Sequence, residues 1–238
     1  MVASMGDKSL TRGTSAQVQS FLDQLGKTPT VISKAASGRL IFALDATASR
    51  APTWVTAQAL QREMFDATSS LGGLELQLCY YLGLDGFHVT RWLTSSSELK
   101  NEMKVVSCLS GYTQIGRVFA HTLAETRRAR VAALVFIGDC MEENEEDLFA
   151  QAGELGLRGV RAFLFQEGDD PVAARCFRQI AKITGGAYGH FDAASADELR
   201  RLLGAVAAYA AGGLKALDAY SGKHGGAVLQ LTHQVKRT

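Results

Sequence analysis

Three polar residues follow an apolar segment near residue 40 at alternate positions. The apolar segment 39–44 ends in Asp45, and Thr47 and Ser49 come two and four residues later. In a loop that leaves a strand, alternate residues turn to the same side, so one carboxylate and two hydroxyl groups are able to converge. Oxygen ligands of this kind suit a hard cation such as Mg²⁺, which prefers octahedral coordination. Three protein oxygens leave that coordination shell incomplete.

Two residues much further along the chain are candidates for the remaining ligands. Thr113 lies in a glycine-containing loop before a predicted helix, and Asp139 follows the most apolar segment of the chain, Val131–Ile137. The sequence therefore predicts a divalent-cation site formed by five side chains: Asp45, Thr47, Ser49, Thr113 and Asp139. The alternative is that these loop residues satisfy nearby backbone groups, as Asx and Ser/Thr turns do.

Segments with the hydrophobic pattern of strands alternate with segments of helical spacing. The predicted strands are 39–45, 74–82, 87–93, 131–137, 160–165 and 188–191. The predicted helices are 18–25, 52–72, 95–109, 115–128, 144–157, 171–184 and 195–209. This alternation is typical of an α/β fold with a mostly parallel sheet and helices on both faces. The short turn at 83–86 makes the third strand antiparallel to the second, as an edge strand.

The chain divides into three predicted regions. Residues 1–14 are small and polar and are predicted to be flexible. Residues 15–211 are predicted to form a single domain, because the length of the chain suits one large α/β domain better than two small ones. Residues 212–238 form a glycine-rich tail, in which 227–235 is predicted to add a strand.

An acidic cluster follows the last candidate ligand. It consists of Glu142, Glu143, Glu145, Glu146 and Asp147. Negative charge is favourable at the N-terminus of a helix, so the cluster is interpreted as a helix start. A second cation site is the alternative.

The sequence around the five candidate ligands resembles the three motifs of the von Willebrand factor A family. Asp-x-Thr-x-Ser at 45–49 is similar to Asp-x-Ser-x-Ser, the first motif of the family's metal-ion-dependent adhesion site. The loop 111–116, Gly-Tyr-Thr-Gln-Ile-Gly, resembles the family's Gly-Gly-Thr-x-Ile-Gly loop, and 133–139 resembles its apolar strand with a terminal aspartate. The motifs occur in the family's order, and the resemblance covers residues 38–210.

The resemblance implies a three-layer αβα, Rossmann-like fold and a bound Mg²⁺, with Mn²⁺ or Ca²⁺ as alternatives. It implies that Thr47 and Ser49 coordinate the cation directly, that Thr113 does so in some states, and that the two aspartates act partly through water. It further implies a protein-binding module of the bacterial intracellular type, in which an Asp or Glu of another protein enters an open coordination position. The sequence departs from the family at Thr47, which replaces serine, and at Cys140, which stands where glycine usually follows the third-motif aspartate.

Two other functions are alternatives to the binding module. A metal-dependent hydrolase or phosphatase would use a Mg²⁺-activated water. However, no lysine, arginine or histidine accompanies the five ligands in the motifs, and no Walker or nucleophile-elbow motif occurs. The other alternative is a metal-free scaffold subunit of a larger assembly linked to an ATPase of the AAA type. We expect a non-enzymatic module whose contact rim is Ala46, Ala48, Arg50, Tyr112 and Cys140.

The composition argues against several classes of partner. The 25 basic and 24 acidic residues give a net charge of +1, whereas nucleic-acid binding usually needs a basic patch. No segment approaches the ~20 consecutive apolar residues that span a bilayer, and the polar N-terminus does not resemble a signal peptide. The four cysteines are interpreted as reduced structural thiols rather than as a zinc site or disulfides. We therefore expect a cytoplasmic protein that binds neither nucleic acid nor membranes.

Overall fold

The computed structural model describes residues 38–50, 64, 66–67, 73–192 and 195–236. Three predictions fall outside these residues: the flexible segment 1–14, the helix 18–25 and most of the helix 52–72. The domain boundaries at residues 15 and 211 likewise stay predictions.

The described residues form six strands and six α-helices, which alternate along most of the chain. The strands are β1 (Gly38–Asp45), β2 (Leu74–Leu82), β3 (Gly86–Leu93), β4 (Ala133–Gly138), β5 (Arg161–Glu167) and β6 (Ala187–Phe191). The helices are α1 (Ser96–Lys104), α2 (Ile115–Thr126), α3 (Glu145–Leu157), α4 (Pro171–Thr184), α5 (Ala196–His224) and α6 (Gly226–Lys236). A 3₁₀ turn, Ala48–Arg50, follows β1.

The six strands form one sheet in the order β3-β2-β1-β4-β5-β6. β3 pairs antiparallel with β2 at one edge, and all the other neighbours pair parallel, as predicted. The strand that follows β1 along the chain lies on one side of it, and β4 lies on the other. The carboxyl ends of β1 and β4 therefore meet at the switch point in strand order, where open α/β sheets bind ligands.

Alternate side chains of β1 enter two separate hydrophobic clusters, one on each face of the sheet. Leu40 and Phe42 pack in the cluster that contains the apolar residues of α5. Ile41 and Ala43 pack in the cluster formed with α2, α3 and α4. Helices thus cover both faces, which explains why β1 is apolar throughout rather than at alternate positions. The predicted three-layer α/β fold is confirmed.

The helix predicted over 95–109 is too long. It begins after Ser95, whose hydroxyl accepts from the Glu98 N–H, and it ends at Lys104. Beyond it, the Leu109 N–H donates to the Ala46 carbonyl at 3.1 Å, and the Leu109 carbonyl accepts from the Gly83 N–H at 3.3 Å. The backbone of this loop therefore bonds to the ends of β1 and β2 instead of continuing the helix.

The strand predicted at 227–235 is wrong, because these residues belong to α6. Val228, Leu231 and Val235 are buried in the core, and their spacing of three and four residues is that of one helix face. The preceding glycines concealed this pattern. The helix predicted to end at residue 209 continues as α5 to His224, with a break in helical geometry at Gly213, where φ is 65°.

One described helix, α5, is long and apolar enough to cross a membrane by length and composition alone. The break at Gly213 interrupts it. Its residues Leu199, Leu203 and Val206 are buried in the core cluster against the sheet. Packing within this domain therefore accounts for the hydrophobicity of the helix.

The outer edge of β6 is covered by a side chain of α6. The Gln234 amide accepts from the Tyr188 N–H at 2.9 Å and donates to the Tyr188 carbonyl at 3.0 Å, so it bonds that residue as a neighbouring strand would. The Arg161 guanidinium donates to the Val235 carbonyl at 2.7 Å and ties the same helix end to β5. Exposed strand edges pair readily with other chains, so Gln234 protects this edge.

Gln234→Ala should reduce the free energy of unfolding by about 0.5–1.5 kcal/mol for each hydrogen bond lost. It should also increase aggregation, because the Tyr188 N–H and carbonyl become available to another strand. Gln230→Ala is the matched control, since Gln230 is an exposed glutamine of the same helix. Chemical denaturation and light scattering measure both effects. Equal behaviour of the two variants would contradict an edge-covering role for Gln234.

Candidate metal centre

Asp45 is the last residue of β1 and is fully buried. Its Oδ1 accepts from the Thr47 N–H at 2.7 Å, and its Oδ2 accepts from the Tyr81 hydroxyl at 3.0 Å. Burial raises the pKa of the Asp45 carboxyl, and the neighbouring Asp139 charge acts in the same direction, whereas the bonds from Thr47 and Tyr81 oppose the shift. The carboxylate is held in a fixed position, but its negative charge is poorly solvated there.

Thr47 and Ser49 present two hydroxyl groups beside Asp45. Their Oγ atoms lie 3.1 Å apart, with Thr47 buried and Ser49 exposed. The backbone holds this arrangement, since the Arg50 N–H donates to the Thr47 carbonyl at 3.0 Å and closes the 3₁₀ turn. The predicted convergence of the first three candidate ligands is therefore present.

Asp139 follows β4 directly and lies next to Asp45. Leu44 pairs with Ile137 in the sheet, so Asp45 is level with Gly138, where an added Cβ would lie 3.6 Å from the Asp45 Cβ. A carboxylate oxygen of each aspartate and the sulfur of Cys140 lie within 4.8 Å of one another. The Asp139 Oδ1 is buried and has no hydrogen-bond partner in the structure. Such an orphaned oxygen fits a position that takes a cation.

Thr113 is buried and is joined to the loop that carries Asp139. Its hydroxyl accepts from the Glu142 N–H at 3.1 Å, and its own N–H donates to the Glu142 Oε2 at 3.2 Å. The structure therefore brings Asp45, Thr47, Ser49 and Asp139 together through direct contacts or short separations. It connects Thr113 to this group through Glu142, three residues after Asp139.

Four residues of the acidic cluster lie at or cap the N-termini of two helices. The Glu143 carboxylate accepts from the Ile115 and Gly116 N–H groups and so caps α2, to which it is not adjacent in sequence. Asn144 caps α3 with its side-chain oxygen, and Glu145, Glu146 and Asp147 occupy the first turn of that helix. These contacts support the interpretation of the cluster as helix starts, distributed over two helices rather than one.

Arg50 is a site residue that the sequence analysis placed wrongly. Its side chain is only 2% exposed, and its guanidinium forms an ion pair with Glu167 at the end of β5. Burial lowers the pKa of Arg50, and the nearby charges of Asp139 and Asp45 act in the opposite direction. No arginine lies within the three motifs, but Arg50, directly after the first of them, lies close to both aspartates in the fold. The only sequence feature that indicates a role for Arg50 in the site is its position directly after the first motif.

The predicted contact rim is only partly present. Ala46 is buried, like Arg50, and neither forms a rim. Ala48 and Tyr112 are exposed, the latter with 62% of its surface accessible. Cys140 is half-buried, and burial together with the carboxylates of Asp139 and Asp45 raises the pKa of its thiol to about 12.

A scan of the sequence against protein-family models finds no match, and a search of curated proteins finds none either. Solved structures with a similar fold are nevertheless found. One is a von Willebrand factor type A protein from Catenulispora acidiphila, with 18% identity and a TM-score of 0.58, covering 72% of this chain and 43% of that one. Another is the vWF domain of the type V pili tip protein Mfa5 from Porphyromonas gingivalis, with 8% identity and a TM-score of 0.55, covering 71% of this chain and 95% of that one.

A third similar structure is proximal thread matrix protein 1 from the mussel byssus, solved with zinc in its metal-ion-dependent adhesion site (MIDAS) motif. It shows 16% identity and a TM-score of 0.56, and the match covers 74% of this chain and 46% of that one. The present chain therefore spans less than half of the Catenulispora and mussel proteins. At these identities the similarity concerns the fold.

Arg50→Met should lower the free energy of unfolding by about 3–5 kcal/mol, because the carboxylate of Glu167, which is only 13% exposed, then loses its cation. Adding Glu167→Gln should restore part of the loss. Arg91→Met is the control, because the Arg91–Glu98 ion pair is on the surface and its loss should leave the melting temperature almost unchanged. Urea denaturation of the four proteins tests this. An Arg50→Met protein as stable as the wild type would contradict a stabilising role for the buried pair.

Proposed function

The chain folds as a von Willebrand factor A-type domain, and we propose that it is a divalent-cation-dependent protein-binding module. Asp45, Thr47, Ser49, Thr113 and Asp139 would hold the cation. The observation that carries this proposal is the pair of neighbouring aspartates, one of which has a buried oxygen without a hydrogen-bond partner. Two like charges in a poorly solvated position are unfavourable without a compensating cation.

The charges around the site support a cation rather than an anion. Asp45, Asp139 and Glu167 are three carboxylates close to one guanidinium, that of Arg50. Because Arg50 is paired with Glu167, its charge compensates the two aspartates only in part. The excess negative charge at the sheet edge would be offset by a divalent ion.

The five candidate ligands supply only oxygens, which favours Mg²⁺, with Mn²⁺ and Ca²⁺ as alternatives. The cation would supply a Lewis-acidic position for an external carboxylate. The structure of the mussel thread protein supports a broader metal range for this kind of site, because its MIDAS motif is described as zinc-occupied.

The partner would be another protein that presents an Asp or Glu side chain to the cation. One carboxylate–metal contact does not suffice for tight association, because binding costs several kcal/mol of lost freedom. The exposed ring of Tyr112 and the exposed Ala48 offer apolar contact close to the candidate ligands.

An enzymatic function is less well supported, even though an arginine is present. Arg50 is buried and paired with Glu167, so it does not face the surface from which a phosphate ester would approach. A hydrolase also needs a group positioned to activate water or to stabilise the leaving group. We therefore retain the non-enzymatic proposal.

Asp139→Asn should abolish the rise in melting temperature that MgCl₂ is expected to produce in the wild type, because it removes a ligand charge. In EDTA the same variant should be more stable than the wild type, since the repulsion between Asp139 and Asp45 is relieved. Asp147→Asn is the matched control, because Asp147 is an exposed aspartate of the first turn of α3. Differential scanning fluorimetry with Mg²⁺, Mn²⁺ and Ca²⁺ measures both effects. An unchanged Mg²⁺ response in Asp139→Asn would contradict the proposed site.

Partner capture should require the cation and should also fail in Thr113→Ala, which removes one proposed ligand oxygen. The immobilised full chain is exposed to lysate of its source in MgCl₂ and in EDTA, and retained proteins are identified by mass spectrometry. A true partner is retained by the wild type in MgCl₂ but lost in EDTA and from Asp45→Asn. Retention that EDTA does not change would remove the metal from the function. Mg²⁺-dependent hydrolysis of p-nitrophenyl phosphate that Asp45→Asn abolishes would favour the enzyme instead.

A further inference from the structure

Cys140 follows Asp139, at the position where this sequence departs from the family's third motif. Its sulfur and a carboxylate oxygen from each of Asp45 and Asp139 lie within 4.8 Å of one another. Within the part of the chain that the structure describes, this is the one trio of acidic, histidine or cysteine side chains found so close together. Cys79 and Cys176, by contrast, are buried among apolar side chains.

The separation of the three atoms is close to what a small metal ion requires. Zinc binds sulfur at about 2.3 Å and carboxylate oxygen at about 2.0–2.2 Å in tetrahedral geometry, so its ligand atoms lie about 3.5 Å apart. The trio would have to contract by only about 1 Å to reach that spacing. Rotation of the Asp139 and Cys140 side chains, both of which are partly exposed, provides such an adjustment.

The chemistry of the trio differs from that of an oxygen-only site. Mg²⁺ prefers hard oxygen ligands, whereas thiolate sulfur favours zinc and other soft cations. The Asp139 Oδ1 is buried without a hydrogen-bond partner beside the Cys140 sulfur. An orphaned carboxylate oxygen and a thiol thus adjoin the fully buried Asp45 carboxylate, which supplies the third ligand.

We propose that Cys140 is a direct metal ligand, which makes this a mixed oxygen–sulfur site that binds Zn²⁺ more tightly than Mg²⁺. This inference rests on the proposed cation-binding function. When zinc binds, the S–H bond of Cys140 breaks, its proton leaves to solvent and a zinc–sulfur bond forms, with no change in oxidation state. Two carboxylates and one thiolate leave a fourth tetrahedral position for water or for a partner's carboxylate. With Mg²⁺, the thiol keeps its proton and takes no part.

The test compares the wild-type full chain with Cys140→Ser by calorimetric titration with ZnCl₂ and with MgCl₂. Cys140→Ser should weaken Zn²⁺ binding by at least about tenfold, since even loss of an outer-shell partner costs about 10–100-fold in metal affinity. Cys140→Ser should still bind Mg²⁺, because the serine hydroxyl is a hard oxygen that suits this ion. Titration with Cd²⁺ should give an ultraviolet sulfur-to-metal charge-transfer band in the wild type but not in Cys140→Ser.

Cys108→Ser is the control, because Cys108 is the other half-buried thiol and lies on the loop after α1. It should retain both the zinc affinity and the cadmium band. Equal Zn²⁺ affinity in the wild type and Cys140→Ser would overturn this inference while leaving the cation-binding proposal intact. Zinc binding that survives in Asp45→Asn would overturn it as well, since the ion would then be bound elsewhere. Mg²⁺ binding lost in Asp45→Asn but kept in Cys140→Ser separates the two proposals.

Discussion

The parallel pairing of β1 with β4 places the two carboxylates of the candidate metal site, Asp45 and Asp139, next to each other. Both strands are buried on both faces, so their register is set by the packing of large side chains such as Phe42 and Phe136. Fully burying each side chain of this kind contributes about 1.5–3 kcal/mol. With that register, Asp45 and Asp139 leave the sheet next to each other, and Gly138 keeps the strand ends in close contact. The core therefore holds two carboxylates together, although their mutual repulsion opposes this arrangement.

The surroundings of these carboxylates relieve part of the repulsion. Tyr81 and the Thr47 backbone donate to Asp45, and these bonds oppose the rise that burial causes in the pKa of its carboxyl. The guanidinium of Arg50 adds one positive charge, but it is paired with Glu167. Each of these contacts stabilises the carboxylate that it touches, and none of them bonds the buried Oδ1 of Asp139. A metal ion would supply the missing positive charge and a bond to the Asp139 Oδ1. The cation-binding proposal therefore follows from electrostatics as well as from the motifs.

Sequence patterns predicted the parts of the fold that local hydrophobicity controls. Val131–Ile137 is apolar throughout, and a strand that is covered on both faces requires this, so β4 and Asp139 at its end could be found directly. The helix predicted over 171–184 likewise matches α4, which begins at Pro171 and is capped by the Asp170 side chain. Arg50 could not be placed, because its burial depends on Glu167, which is far away in sequence. The spacing of Val228, Leu231 and Val235 is that of one helix face, but the glycines before them concealed it, so the sequence predicted a strand where the structure has α6.

The loops that carry the candidate ligands are bonded to one another, and this connects the site to a helix. Leu109 bonds to Ala46, and Thr113 exchanges two hydrogen bonds with Glu142. The next residue, Glu143, caps the N-terminus of α2. Because Thr113 lies two residues before that helix and contacts its capping loop, any movement of Thr113 toward a cation would strain the bonds to Glu142. Those bonds make the loop and the start of α2 a single connected unit. This unit lies on the face of the sheet opposite α5, so the hydrogen bonds of the site connect it to one helical layer.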